Sequence, residues 1–149
     1  MDTKKLTRKL QKRFAELCGD LGFELQRVTT PCCGYAEMFA KRRHGLLLYV
    51  EWRDFCLDLY VVRLKDGEQW DGRWNSSYRD GTWKVVSVDR IYRSSQPPVP
   101  RCPFAWTEDQ WEAYLYTVMD NYIGLIRNDP QVLLSFLDRI DESPERPPL

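Results

Sequence analysis

Apolar residues recur at helical spacing at both ends of this chain and at alternating spacing through its middle. Leu6, Leu10, Phe14, Leu17 and Leu21 form one stripe, and Trp111, Leu115, Val118, Tyr122 and Ile126 form another. Between them, residues 23–92 read as successive antiparallel strands. The first helix can be capped by Asp2 or Thr3. It ends near Leu21, with Gly22 at the position past the end where φ turns positive.

Strands are predicted over residues 23–30, 35–41, 46–52, 55–64 and 83–92. Phe23 and Leu25 share one face of the first, and Tyr35, Glu37 and Phe39 alternate with Ala36, Met38 and Ala40 in the second. The third is the most apolar, which places it centrally. In the fourth, Phe55, Leu57, Leu59 and Val61 face one way and Cys56, Asp58, Tyr60 and Val62 the other. Pro31-Cys32-Cys33-Gly34 and Lys65-Asp66-Gly67 carry turn chemistry, and Arg42-Arg43-His44-Gly45 reads as a hairpin loop with Gly45 left-handed.

Residues 94–103 hold four prolines and read as an extended connector. Thr107 and Gln110 fit a capping box just before Trp111, and that helix runs to about Arg127. Asp129 and Pro130 restart a final helix whose apolar face is Val132, Leu133, Phe136, Leu137 and Ile140. The reading is a single α+β domain over residues 1–141. It has an antiparallel meander of about five strands, with the N-terminal helix and two C-terminal helices packed on one face. Residues 142–149, with three prolines, form a flexible tail.

Composition fits this picture and adds one bias. At 149 residues, with 43% hydrophobic and 30% charged, the chain is long enough and apolar enough for one folded core. The longest aliphatic run, around Leu46 to Val50, is far too short to span a bilayer. Asp2 onward lacks the apolar core of a secretory signal, and the five cysteines show no disulfide-type spacing, so a reducing cytoplasmic home is expected.

The formal net charge is zero, but it is unevenly spread. Residues 1–53 carry eleven Lys/Arg against six Asp/Glu, and residues 101–149 carry four against nine. The two ends therefore attract, which favours terminal helices lying side by side. Lys4, Lys5, Arg8, Lys9, Lys12 and Arg13 give the first helix a basic face, a possible phosphate track. The acidic final third and neutral total argue against general nucleic-acid binding.

The sequence holds no complete catalytic or metal motif. His44 is the sole histidine. It could pair with Cys32 or Cys33 for nucleophilic chemistry, but the pattern favours a solvated loop histidine between basic neighbours. Cys32, Cys33, Cys102 and His44 lack the paired spacing of a zinc site. Glu51, Asp54 and Asp58 could be drawn as a divalent-cation cluster, yet Asp58 has the alternation of an ordinary outward strand position. Gly67, Gly72 and Gly81 are too scattered for a phosphate loop. No cofactor or metal is expected, nor is catalysis.

The strongest candidate for a site is the stretch 68–82. Trp70, Trp74 and Tyr78 recur every four residues there among Arg73 and Arg79, and Trp, Tyr and Arg dominate binding hot spots. The competing role for these rings is a cover over a sheet face. If the helices cover only one face, Trp52, Tyr60 and Trp83 make the other an aromatic platform for a partner. Arg42, Arg43 and His44 are secondary candidates.

The Leu21-Gly22-Phe23 junction and the strand rhythm from Tyr35 to Leu64 resemble small bacterial toxin-immunity proteins. That resemblance implies a cytoplasmic, non-catalytic protein that neutralises a toxin by covering its active site. It carries no functional residue over to this chain. A second similarity is to dimeric type III secretion chaperones, which are acidic and place a helix among their strands. This chain is neutral and loop-like there. The expected function is protein binding of the inhibitor kind, with a toxin as the expected partner, no membrane contact and an open oligomeric state. The alternatives are a chaperone-like binder, or a small-molecule binder or enzyme with a pocket between sheet and helices.

Overall fold

The computed structural model describes residues 2–28, 34–51, 56–64, 85–92 and 106–142. Helix α1 (Thr3–Asp20) leads into strands β1 (Glu24–Val28), β2 (Gly34–Ala40), β3 (His44–Glu51), β4 (Cys56–Arg63) and β5 (Val85–Ser87). A short helix α2 (Val88–Ile91) follows, then α3 (Glu108–Asn128) and α4 (Pro130–Glu142). The strands form one antiparallel sheet in the order β1-β2-β3-β4-β5. The expected α+β meander is present, with the helices on one face.

Local chemistry sets the ends of α1. The Lys5 N–H donates to Asp2 Oδ1 at 3.1 Å, so Asp2 is the cap. At the other end Gly22 takes φ 79°, its N–H donates to Gly19 O at 2.9 Å, and the Phe23 N–H donates to Cys18 O at 3.1 Å. This is a Schellman motif, and its two apolar partners, Cys18 and Phe23, both enter the core. The turn delivers the chain straight into the edge strand.

Alternation then sorts the sheet into two faces. Phe39, Leu46, Leu48, Val50, Leu57, Leu59 and Val61 meet Leu6, Leu10 and Phe14 of α1, together with Trp111, Leu115, Met119 and Tyr122 of α3. Phe14 packs edge-on to Phe39 with ring centroids 4.5 Å apart. Truncating such a buried ring to alanine typically costs about 3–5 kcal/mol.

Of the two readings the sequence left for the opposite face, covered or an open platform, the buried side chains fit the covered one. Met38, Leu47, Val62 and Val85 are fully buried there, and Tyr49 and Tyr60 are half-buried against them. Trp52 and Trp83 lie outside the described residues. A sheet buried on both faces explains why β3 reads as a continuous apolar run.

Three strand readings change. The fifth strand ends at Ser87 rather than near Tyr92, because Ser87 caps a helix instead: its Oγ accepts from the Arg90 N–H at 3.1 Å. The first strand spans Glu24–Val28, and Leu25, though in register with Phe39, is 45% exposed because β1 is an edge. Gly45 is not left-handed; it sits inside β3, and the 42–43 bend precedes it. Its role is steric, since a Cβ there would run into Met38 Cε and lie 3.1 Å from Phe39 O.

The ends pair as their charges suggested. Lys9 Nζ reaches Glu112 at 2.6 Å, Arg13 holds Asp120 through two nitrogens, and Arg127 lies 3.9 Å from Asp20. Residue numbers rise together along both helices, so α1 and α3 run parallel. The side chains of the Arg13–Asp120 pair are 39% and 41% exposed, so this contact contributes only about 0–1 kcal/mol.

The glycines give a matched test. Gly45→Ala should lower stability by about 1–3 kcal/mol, since fully buried Met38 cannot yield easily. Gly124→Ala, in α3 with nothing within 4 Å of the new Cβ, should raise it by about 0.5–1 kcal/mol. Urea midpoints shifting in these opposite directions would bear this out, and a neutral Gly45→Ala would show that the contact relaxes.

Candidate functional site

The start of α3 is fixed by its cap. Thr107 Oγ1 accepts from the Gln110 N–H at 3.3 Å, and Gln110 Oε1 accepts from the Thr107 N–H at 2.9 Å. Glu108 and Asp109 in the first turn suit the positive end of the helix dipole. Local electrostatics and capping agree, so this is a rigid place to mount side chains.

Trp111, at 2% exposure, anchors the helix in the core, and two half-buried rings gather on it. Trp106 lies 5.0 Å from Trp111 and 5.5 Å from Tyr114, centroid to centroid, and Tyr114 lies 6.1 Å from Trp111. The last two contacts are edge-to-face, the arrangement the ring quadrupoles favour. Three mutually locked rings have little rotamer freedom left to lose on binding.

Trp106 and Tyr114 open onto a groove of about 380 Å³, completed by Gln110, Ala113 and Thr117. Positions 110, 113, 114 and 117 form one outward stripe of the helix, opposite buried Trp111, Leu115 and Val118. Ala113 provides the floor space between the rings and the polar ends of Gln110 and Thr117. The groove can take an apolar or planar group edge-on to aromatic rings, with two polar side chains to orient it. Its described lining residues include no nucleophile–base pair.

The sequence-predicted site residues divide between the described and the undescribed parts of the chain. Trp70, Arg73, Trp74, Tyr78 and Arg79 lie outside the described residues. Arg42 and Arg43 are exposed at the bend before β3, while His44 is the first residue of β3. Instead of a solvated loop residue, His44 is a half-buried ring 5.7 Å from Phe23, edge-on to it. Cys32, Cys33, Cys102 and Asp54 also fall outside, and no group of three or more metal-ligating side chains gathers among the described residues.

Glu51 and Asp58 do share a sheet face, but each is engaged. Tyr49 Oη donates to Glu51 at 2.8 Å, and Asp58 accepts from Tyr60 Oη at 3.4 Å and Cys56 Sγ at 3.2 Å. The groove, by contrast, was missed from sequence. Its only signal was Trp106 and Tyr114 flanking a recognised capping box. No described helix is long and apolar enough to cross a membrane.

No family model, curated protein or solved structure matches the chain.

Burial favours the neutral form of one thiol and three phenols on or beside these helices. It raises the Cys18 thiol, with a further push from Glu37, and it raises the Tyr114 phenol, with a smaller push from Cys56. Tyr92 and Tyr116 shift the same way, again mainly through burial. The unfolded chain releases these protons near the ordinary values of 9.0 and 10.0, while the fold retains them. Unfolding is therefore favoured as pH rises, and the urea midpoint should fall from about pH 9 to about pH 11. Cys18 should also resist iodoacetamide in the native state and react in urea, as read by peptide mapping; native labelling of Cys18 would contradict its burial.

Proposed function

We propose that this chain acts by binding another protein, with the aromatic groove at the start of α3 as its principal contact. The observation that carries this reading is the pair of half-exposed rings, Trp106 and Tyr114, held on a capped and anchored helix. Rigid Trp and Tyr side chains in a shallow pocket are the usual makings of an interface hot spot. A small-molecule site would instead wrap most of its ligand and converge several polar groups on it. The groove opens outward along a helix, which suits a protruding side chain better.

The more specific form of this proposal is a cytoplasmic inhibitor that covers the active site of a bacterial toxin. Its support is the resemblance of the Leu21-Gly22-Phe23 junction and the strand rhythm to immunity proteins. The long aromatic stretch with Trp70, Trp74 and Tyr78 would be a second contact in that role.

The test is affinity capture from the source organism's lysate with wild-type bait and two variants. Ala113→Arg fills the groove from an exposed position, and Trp106→Ala removes one wall. Wild type should retain one stoichiometric protein, and each variant should weaken that binding at least about 10-fold without losing cooperative unfolding. Equal retention by all three baits would remove the groove from the interface. For the toxin form, expressing the captured partner alone should arrest growth and co-expression of this chain should restore it; a harmless partner would sink that form.

A further inference from the structure

Four cations lie together on the exposed side of α1. Lys4, Lys5, Arg8 and Lys12 are all exposed, and none makes an ion pair among the described residues. They occupy one strip on the outward side of the helix, opposite buried Leu6, Leu10 and Phe14. Their neighbours Lys9 and Arg13 are already committed to Glu112 and Asp120, and the nearby acids Glu108 and Glu16 act on those two. Among the described residues the strip itself has no ion-pair partner.

At the start of α1 the Asp2 cap, whose carboxylate accepts from the Lys5 N–H, is the one acid among the described residues that faces these cations along the helix end. The first turn of α1 holds no acidic residue and carries Lys4 and Lys5 at the positive end of the helix dipole. The first turn of α3 has the opposite, stabilising pattern, with Glu108 and Asp109. The two helix starts therefore differ in charge, with cations following the Asp2 cap on α1 and acids following the Thr107 cap on α3.

The register of the two helices says what lies beside the strip. Because Lys9 meets Glu112 and the helices run parallel, the first turns of α1 sit alongside the α3 segment that carries Gln110, Ala113 and Tyr114. We propose that the strip and the groove form one docking face for an extended acidic protein segment with an apolar anchor. Its carboxylates would lie on Lys4, Arg8 and Lys12, and its anchor between Trp106 and Tyr114. Cations four apart on a helix are spaced roughly 6 Å along the axis. Alternate side chains of an extended strand are spaced roughly 6.6 Å, a close match. A nucleic-acid strand fits less well, because its phosphates would also meet Glu108 and Asp109 on the way to the groove. The proposal rests on the protein-binding reading and names the chemistry of the partner.

The test uses a fluorescein-labelled peptide of alternating Glu and Ser with a Leu-Pro-Leu end, read by anisotropy at about 50 mM salt. An anchorless acidic peptide and an oligothymidylate are the comparators. The peptide should bind wild type and weaken at least 10-fold in the Lys4→Glu/Arg8→Glu/Lys12→Glu variant. That variant should keep a cooperative urea transition close to that of wild type, since all three positions are exposed and Lys4→Glu also suits the start of the helix. Ala113→Arg should weaken the anchored peptide and leave the anchorless one unchanged.

Unchanged affinity in the charge-reversed variant, with Ala113→Arg still blocking, would overturn the strip and leave the protein-binding reading standing. Lysate capture that depends on the groove, with no binding of either peptide, would do the same. Tighter binding of the oligothymidylate than of the peptide, lost in the charge-reversed variant, would overturn the acidic-protein partner in favour of nucleic acid.

Discussion

A five-strand sheet is too wide for one helix to cover, and the rest of this structure depends on that mismatch. At about 4.8 Å between strands the sheet spans roughly 19 Å, whereas one helix with its side chains is about 10 Å across. The α1 stripe of Leu6, Leu10 and Phe14 can dry only the side near β1 and β2. The meander then consumes the middle of the chain, so the second cover has to come from the far end. Trp111, Leu115 and Tyr122 supply it over β4, and α4 and α2 extend it toward β5. The core is therefore closed only when residues about a hundred positions apart meet, a long-range step that slows folding more than it costs stability.

Bringing the ends together in this way makes α1 and α3 parallel neighbours, which sets two like-oriented dipoles side by side. The split of basic residues early and acidic residues late offsets that. Lys9–Glu112 and Arg13–Asp120 express that split along the seam, Asp20–Arg127 joins the far ends with the signs reversed, and the Arg13 guanidinium also lies 5.6 Å above the Tyr116 ring. These exposed pairs add little stability each. They report the register that the packed core sets, marking which turn of α3 lies beside which turn of α1.

The fold was legible because each element announced itself by period and by its ends. Asp2, Gly22, the Thr107–Gln110 box and the Asp129-Pro130 restart all mark helix boundaries through side-chain or φ chemistry that needs no tertiary context. Three features escaped because they do need it. Ser87 can end a strand or cap a helix, and only its tertiary setting decides. Gly45 looks like a turn glycine until Met38 is seen packed against it. The second sheet face stayed open between cover and platform because alternation tells which residues share a face, not what lies over them; Met38 and Leu47 are fully buried. The candidate site was hidden for a different reason. Trp106 precedes its helix and Tyr114 sits off the apolar stripe, so neither belongs to a periodic pattern, and their meeting depends on the cap that turns the chain between them.

On the protein-binding reading, the groove and the α1 strip would do different work. Aromatic rings locked against Trp111 bury apolar area with little entropy left to lose, which chiefly slows dissociation. Exposed cations contribute little to the final complex but speed encounter with an acidic partner, an effect that added salt screens. A molecule with no net charge can still steer in this way, because the relevant field is that of the approaching face. Placing cations against a helix dipole lowers stability slightly, and placing two rings half in solvent leaves apolar area wet. Both concessions fall on the same turns of two helices that the ion-pair seam marks as side by side. The local exceptions to good folding chemistry thus coincide in space, and the same coincidence makes that face the most informative one on the molecule.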